Sequence, residues 1–153
     1  MLTHGHFDHI LATNTLNVSN VYIHELDKEI LNDCNKNSGV FANIIEFAEI
    51  KNLTTFKDDE NIEFCSAFFK TIHTPGHTKG SSCFIFLDEF MFTGDTLFRK
   101  NIGRCDLYGG DFTSIKNSIK KIANLNKDYI ILPGHGKASN LNYEKTYNHV
   151  FLN

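Results

Sequence analysis

Two apolar runs of the chain end in the same way. "TIHTPGH" (71–77) and "IILPGH" (130–135) each pass from strand-forming residues into Pro-Gly-His, and they hold the only two prolines among 153 residues. Proline removes a donor from a sheet ladder, and glycine permits backbone turns that other residues resist. Each run is therefore expected to be a strand that stops and swings a histidine, His77 or His135, off its end toward a shared point.

The remaining pattern predicts a mixed α and β domain around those two strands. "VYIH" (21–24) reads as a strand feeding a helix over 25–34, where Leu26, Ile30 and Leu31 recur at helical spacing. "IIEFAEI" (44–50), "IEFCSAFF" (62–69) and "FKTIH" (69–73) read as strands, with "DDEN" (58–61) as a turn. "SSCFIFL" and "EFMFTGD" follow as two more, separated by Asp88 and Glu89, so consecutive antiparallel pairing is expected. The stretch 111–125 is an amphipathic helix with Ile115, Ile119, Ile122 and Leu125 on one face and Lys116, Lys120 and Lys121 solvated. "YIILPGH" is a buried strand and "NYEKTYNHVFL" a short closing helix. Sheets covered by helices in one domain over 1–153 are the expected architecture.

Composition narrows the partners. A net charge of -3 with scattered lysines gives no electrostatic footprint for nucleic acid. No apolar run reaches the length of a membrane span and the first ten residues are too polar for a signal segment, so the expected compartment is cytoplasmic. Cys34, Cys65, Cys83 and Cys105 lack CxxC spacing and read as free thiols packed as small hydrophobes.

The chemistry concentrates at three places. The opening "MLTHGHFDHI" carries His4, His6, Asp8 and His9. In an extended segment His4 and His6 point the same way while Phe7 turns to the core, and a helix starting near Asp8 sends Asp8 and His9 elsewhere. Asp95 ends "FMFTGD", a run that reads as buried on both faces, where a carboxylate is costly unless paired or bound to a cation. With His77 and His135 the candidates number five imidazoles and two carboxylates, more than one tetrahedral ion needs. Two divalent metals sharing one carboxylate is the economical reading, with zinc first and iron or manganese also suited. His24, His73 and His149 fall outside these motifs and read as structural or surface residues.

Together "THGHFDH", "TPGHTKGS", "GDTLF", "IGR" and "PGHG" resemble the metallo-β-lactamase-fold hydrolases, most closely the single-domain glyoxalase II-like branch, over nearly the whole chain. The resemblance implies an αββα sandwich of two mixed sheets with the metals at one edge. It also implies that His4, His6 and His77 hold the first metal, that Asp8, His9 and His135 hold the second, and that Asp95 bridges. The implied reaction is cleavage of a small-molecule thioester, such as an S-(2-hydroxyacyl)glutathione, by a hydroxide bridging the metals and oriented by Asp8. Thr3 and Asp106 are implied to orient imidazoles, with Arg104 anchoring Asp106 or Asp95.

Glyoxalase II itself carries a helical glutathione-binding region after this domain, and here the sequence ends soon after "PGHG". Persulfide dioxygenases, which use one iron, share "THxHxDH" and a "GR" segment, so oxygen chemistry is the alternative from another class. Relatives of this type carry strands ahead of the first metal motif, whereas only Met1 and Leu2 precede Thr3 here. An incomplete sheet, an uncovered apolar face and an inactive metal-binding fragment follow as a third expectation.

Overall fold

The computed structural model of the chain describes residues 1–153 apart from Asn17, Ala48, Cys65 and Asn153. After a short helix α1 (Phe7–Ile10) comes β1 (Val21–His24), which pairs in parallel with β2 (Leu53–Phe56). Next in the chain are β3 (Asn61–Phe64), β4 (Ala67–His73), β5 (Ser82–Phe86) and β6 (Phe90–Gly94). These four form the expected antiparallel series, followed by a small hairpin of β7 (Leu97–Phe98) and β8 (Asn101–Ile102). Helix α2 (Phe112–Ala123), β9 (Ile130–Pro133), β10 (Ser139–Asn140), α3 (Leu141–Tyr147) and α4 (His149–Leu152) complete it. The large sheet has the order β10-β9-β6-β5-β4-β3, with β9 parallel to β6.

Alternation along β5 shows how the layers form. Cys83 and Ile85 point into a core with Ile72, Met91 and Ile131 of neighbouring strands and Ile119 and Ile122 of α2. Phe84 points to the other face, against Phe56 of β2 and Ile62 of β3. The β1–β2 pair therefore covers part of the face opposite α2. Each fully buried isoleucine of α2 stabilises this packing by roughly 1.5–3 kcal/mol, and Asp111 caps the helix by accepting from Ser114 N at 2.6 Å.

Several local expectations are corrected. Residues Glu25–Ile30 form a 3-10 helix, not the α-helix expected over 25–34; Leu26 is exposed and Asp27 takes the inward position. The run 44–50 forms no strand among its described residues, with Ile45 exposed, and β2 begins later at Leu53. "IEFCSAFF" is a hairpin rather than one strand, and Cys65 lies outside the described residues. Phe7 is only half-buried, and Leu2 and Ile10 supply the apolar anchors of the opening segment. Strand β6 is not buried on both faces, because Phe92 borders a groove of about 240 Å³ with Met1, Thr3, Phe69 and Phe84. The closing segment is two short helices. No helix among the described residues is long and apolar enough to cross a membrane.

Candidate metal centre

The opening segment is fixed from both sides. Leu2 N donates to Tyr22 O at 2.8 Å and Ser82 N to Thr3 O at 2.8 Å, which wedges residues 2 and 3 between β1 and β5. His4 and His6 project from the extended chain just beyond, and α1 then redirects Asp8 and His9. Between the two histidines, Gly5 N donates to Asp27 Oδ2 at 2.9 Å.

Asp27, almost wholly buried, also accepts from Thr78 Oγ1 at 2.7 Å and Gly80 N at 2.6 Å. One carboxylate thus ties the loop carrying His4 and His6 to the residues following His77. Burial pushes its pKa up, and these three donors oppose that rise. Sequence reasoning missed Asp27 because an acid in "ELDKEI" reads as an exposed helix residue; only the 3-10 geometry turns it inward.

The two Pro-Gly-His turns do converge, for different local reasons. Gly76 sits at φ +134, and a side chain there would strike the backbone of Ile115 in α2. Asp111 N donates to Gly76 O at 2.8 Å and Ser118 Oγ to Pro75 O at 2.7 Å, so α2 seats this turn. Gly134 needs no positive φ; it is required because a Cβ would collide with Asp95 Oδ1 and the His9 ring. Gly134 N donates to Gly94 O at 2.8 Å, which locks together the strand ends that carry Asp95 and His135.

All seven candidates meet. His4, His6 and His77 form one buried group, His4, His9 and Asp95 a second, and Asp8, His9 and His135 a third, each with ligand atoms within 4.8 Å of one another. His6 Nδ1 lies 2.8 Å from His77 Nε2. Asp95 stands between the groups, with Oδ1 3.3 Å from His9 Nε2 and Oδ2 3.6 Å from His77 Nε2 and 3.7 Å from His135 Nε2. Asp8 Oδ2 is 2.9 Å from His135 Nε2 and 3.7 Å from His9 Nε2.

Three observations test whether such a set suits metal ions. His4 Nε2, His6 Nε2 and Asp95 Oδ1 are buried with no hydrogen-bond partner, each a cost of about 1–3 kcal/mol unless a cation meets it. Burial and neighbouring imidazoles hold His4 well below its ordinary range, His6 at about 4, and His77 low despite its bond to Arg104. These rings are therefore neutral near pH 7, as ligation requires. Burial alone would raise Asp95, but His9, His77 and His135 outweigh it and keep the carboxylate ionised. The donor set fits.

The partners of the ligands differ in part from expectation. Thr3 Oγ1 does lie 3.2 Å from His4 Nδ1, leaving Nε2 inward. His77 Nδ1 donates to the main-chain carbonyl of Arg104 at 2.7 Å, so neither Asp106 nor the guanidinium orients that ring. The Arg104 side chain pairs with Asp106, one of its two expected partners, through two 2.7 Å hydrogen bonds in the open. Cys34 and Cys83 are buried free thiols, Cys105 is half-buried, and no cysteine enters a cluster among the described residues.

His24, His73 and Asp58 form a separate group. His24 Nδ1 accepts from Leu26 N, so its Nε2 carries the proton given to Asp58 Oδ1 at 2.8 Å. The two rings stack in nearly parallel planes, 4.1 Å apart with 8° between them. In-plane lone pairs of parallel rings do not converge on one ion, which agrees with a structural clip. His149 is exposed on α4 and belongs to none of these groups.

Comparison with known proteins agrees with this geometry. The chain is 34% identical to the hydroxyacylglutathione hydrolase GloC of Haemophilus influenzae, over all of this chain and 74% of that one. It is 32% identical to the probable metallo-hydrolase YqgX of Bacillus subtilis, over all of this chain and 74% of that one. Its fold superposes on the BLEG-1 B3 metallo-beta-lactamase with a TM-score of 0.87 at 32% identity, covering 99% of this chain and 76% of that one. The corresponding values for TTHA1623 in a di-iron-bound form are 0.78 and 30%, over 96% and 74%. The family model of the metallo-beta-lactamase superfamily matches residues 1–135. The chain therefore belongs to the metallo-β-lactamase superfamily, spans about three quarters of its relatives' length, and carries the clustered histidines and aspartates of a metal-dependent hydrolase.

Proposed function

We propose that the chain is a two-metal hydrolase that opens a small-molecule thioester, with His4, His6 and His77 holding one ion, Asp8, His9 and His135 the other, and Asp95 joining them. The observation that carries this reading is the position of Asp95, whose two oxygens face histidines of both groups. Bound divalent ions of this kind supply a nucleophilic hydroxide at neutral pH and a Lewis acid for the carbonyl under attack. Zinc suits an imidazole and carboxylate set without thiolate, and iron, found in TTHA1623, and manganese suit it too.

The chain's own residues contribute position and charge. The main-chain carbonyl of Arg104 fixes the His77 tautomer and Thr3 steers His4, so both rings present Nε2 inward. Asp8 reaches the open rim, where its second oxygen can orient water and receive its proton. No serine or cysteine nucleophile is needed. A thioester is favoured because the GloC relative is a hydroxyacylglutathione hydrolase, and because breaking the C–S bond releases a thiolate, whose charge bound metal would stabilise.

The test is metal content followed by turnover. Purified protein is expected to hold two metals per chain and to hydrolyse S-lactoylglutathione; a chelator abolishes the activity and added metal restores it. One iron per chain, with oxygen consumed in the presence of glutathione persulfide, would overturn the proposal in favour of a dioxygenase.

A further inference from the structure

The β7–β8 hairpin is held by more buried polar structure than its two short strands require. Glu144, fully buried on α3, accepts from Lys100 N at 2.7 Å, from Asn148 Nδ2 at 3.0 Å and from Ser139 Oγ. Asn148, also fully buried, donates to Asn101 O at 3.1 Å and Phe98 O at 3.5 Å. The hairpin tip is Arg99–Lys100, and Lys100 sits at φ +61, a conformation in which glycine is less costly than lysine. The fold thus fixes the main chain of a tip that carries two cations, one of them at a position where glycine suits the backbone better.

Those cations rest on aromatic rings. The Arg99 guanidinium lies 5.0 Å from the Tyr143 ring, and Lys100 Nζ lies 5.6 Å from Tyr143 and 5.7 Å from Tyr147. The two phenol rings are 4.7 Å apart. Neither cation makes an ion pair with a carboxylate among the described residues, because Glu144 meets the Lys100 main chain, not its ammonium. The hairpin borders the His135 side of the centre, since the Phe98 ring, one residue before Arg99, stands 6.3 Å from the His135 ring.

We infer that Arg99, Lys100, Tyr143 and Tyr147 form the binding ledge for a carboxylate-bearing thiol arm of the substrate, beside the His135 end of the centre. This rests on the thioester reading above. The ledge offers charge for the carboxylate and flat apolar faces for the arm behind it. With its main chain fixed by Glu144 and Asn148, the hairpin itself loses little entropy on binding.

Calorimetry on the metal-loaded protein tests this with S-methylglutathione, which has no thioester to cleave, and its diethyl ester, which lacks both negative charges. The wild type is expected to bind the acid roughly tenfold tighter than the ester, and this preference shrinks in ~0.5 M salt. Arg99→Gln/Lys100→Gln removes the preference with metal content retained, whereas Tyr147→Leu, which leaves both charges, weakens the acid only about threefold. Equal binding of acid and ester by the wild type, or a preference that survives the double substitution, overturns the inference. If S-lactoylglutathione is not hydrolysed but the preference behaves as stated, the thioester reading fails and the ledge stands only as a carboxylate-binding site.

Discussion

The two halves of the metal centre are built on opposite terms. His4, His6 and His77 are 1%, 4% and 3% exposed and are braced by Thr3, the Arg104 carbonyl and the Asp27 knot. Asp8, His9 and His135 line a rim where His135 is 56% exposed. Their protonation differs as well. Burial lowers all three rings of the inner half, while at His9 the carboxylates of Asp95 and Asp8 outweigh burial and raise the pKa. In the absence of metal, the inner half thus rejects protons and the rim attracts one. Under the proposed assignment, one ion would be held by preformed neutral ligands and the other by a more exposed set in which His9 must first lose a proton.

Ligand removal should break this contrast most strongly. His6→Ala is expected to empty the inner position and, through the shared Asp95, to loosen the outer one, so that metal falls from two per chain toward none. His135→Ala should leave one tightly held metal. Elemental analysis after dialysis distinguishes the two, and equal loss from both variants would erase the proposed difference.

Asp27→Ala comes next. It strands Gly5 N–H, Gly80 N–H and the Thr78 hydroxyl in a buried site, at about 1–3 kcal/mol for each group left unpaired. Urea unfolding should show that loss, with metal leaving the inner position at lower chelator concentration than in the wild type.

The pH response sharpens the comparison further. Because His4, His6 and His77 have folded-state pKa values below the ordinary 6.5, the unfolded chain binds more protons than the folded one beneath that pH. Their contribution to stability is complete above about pH 6.5 and is lost as pH falls, through about 4 for His6. His9 acts in reverse: its raised pKa adds stability at low pH that is lost as pH rises through the folded value. Metal-free protein should therefore have a lower urea midpoint at pH 5 than at pH 7, and His6→Gln should flatten that slope. A midpoint independent of pH would contradict the assignment.

The smallest effect is expected at Arg104. Its pair with Asp106 is open to solvent and screened, and His77 depends on the carbonyl of residue 104, not on its side chain. Arg104→Gln should leave metal content and the unfolding midpoint nearly unchanged.

What was legible in the sequence follows the same division. The clustering of the seven candidate residues could be read, because imidazoles and carboxylates recur next to strand-ending glycines, and the antiparallel run β3 to β6 followed from its alternation and turns. The supports could not. Asp27 and Glu144 are acids on helical segments, and only tertiary packing decides that they turn inward. The Arg104 contact is made by main chain and so leaves no mark on side-chain identity. The run 44–50 shows the converse failure: its apolar residues match a strand, yet none of its described residues joins a strand and Ile45 stays exposed.

Asp95 is proposed to join two metal positions. Titration of metal-free protein with zinc, followed by calorimetry and checked by elemental analysis, tests it most directly. Two sites per chain are expected in the wild type, a tighter inner one and a weaker outer one, with the loss of both in Asp95→Ala. A single site in the wild type, or two sites of undiminished affinity in Asp95→Ala, would contradict it.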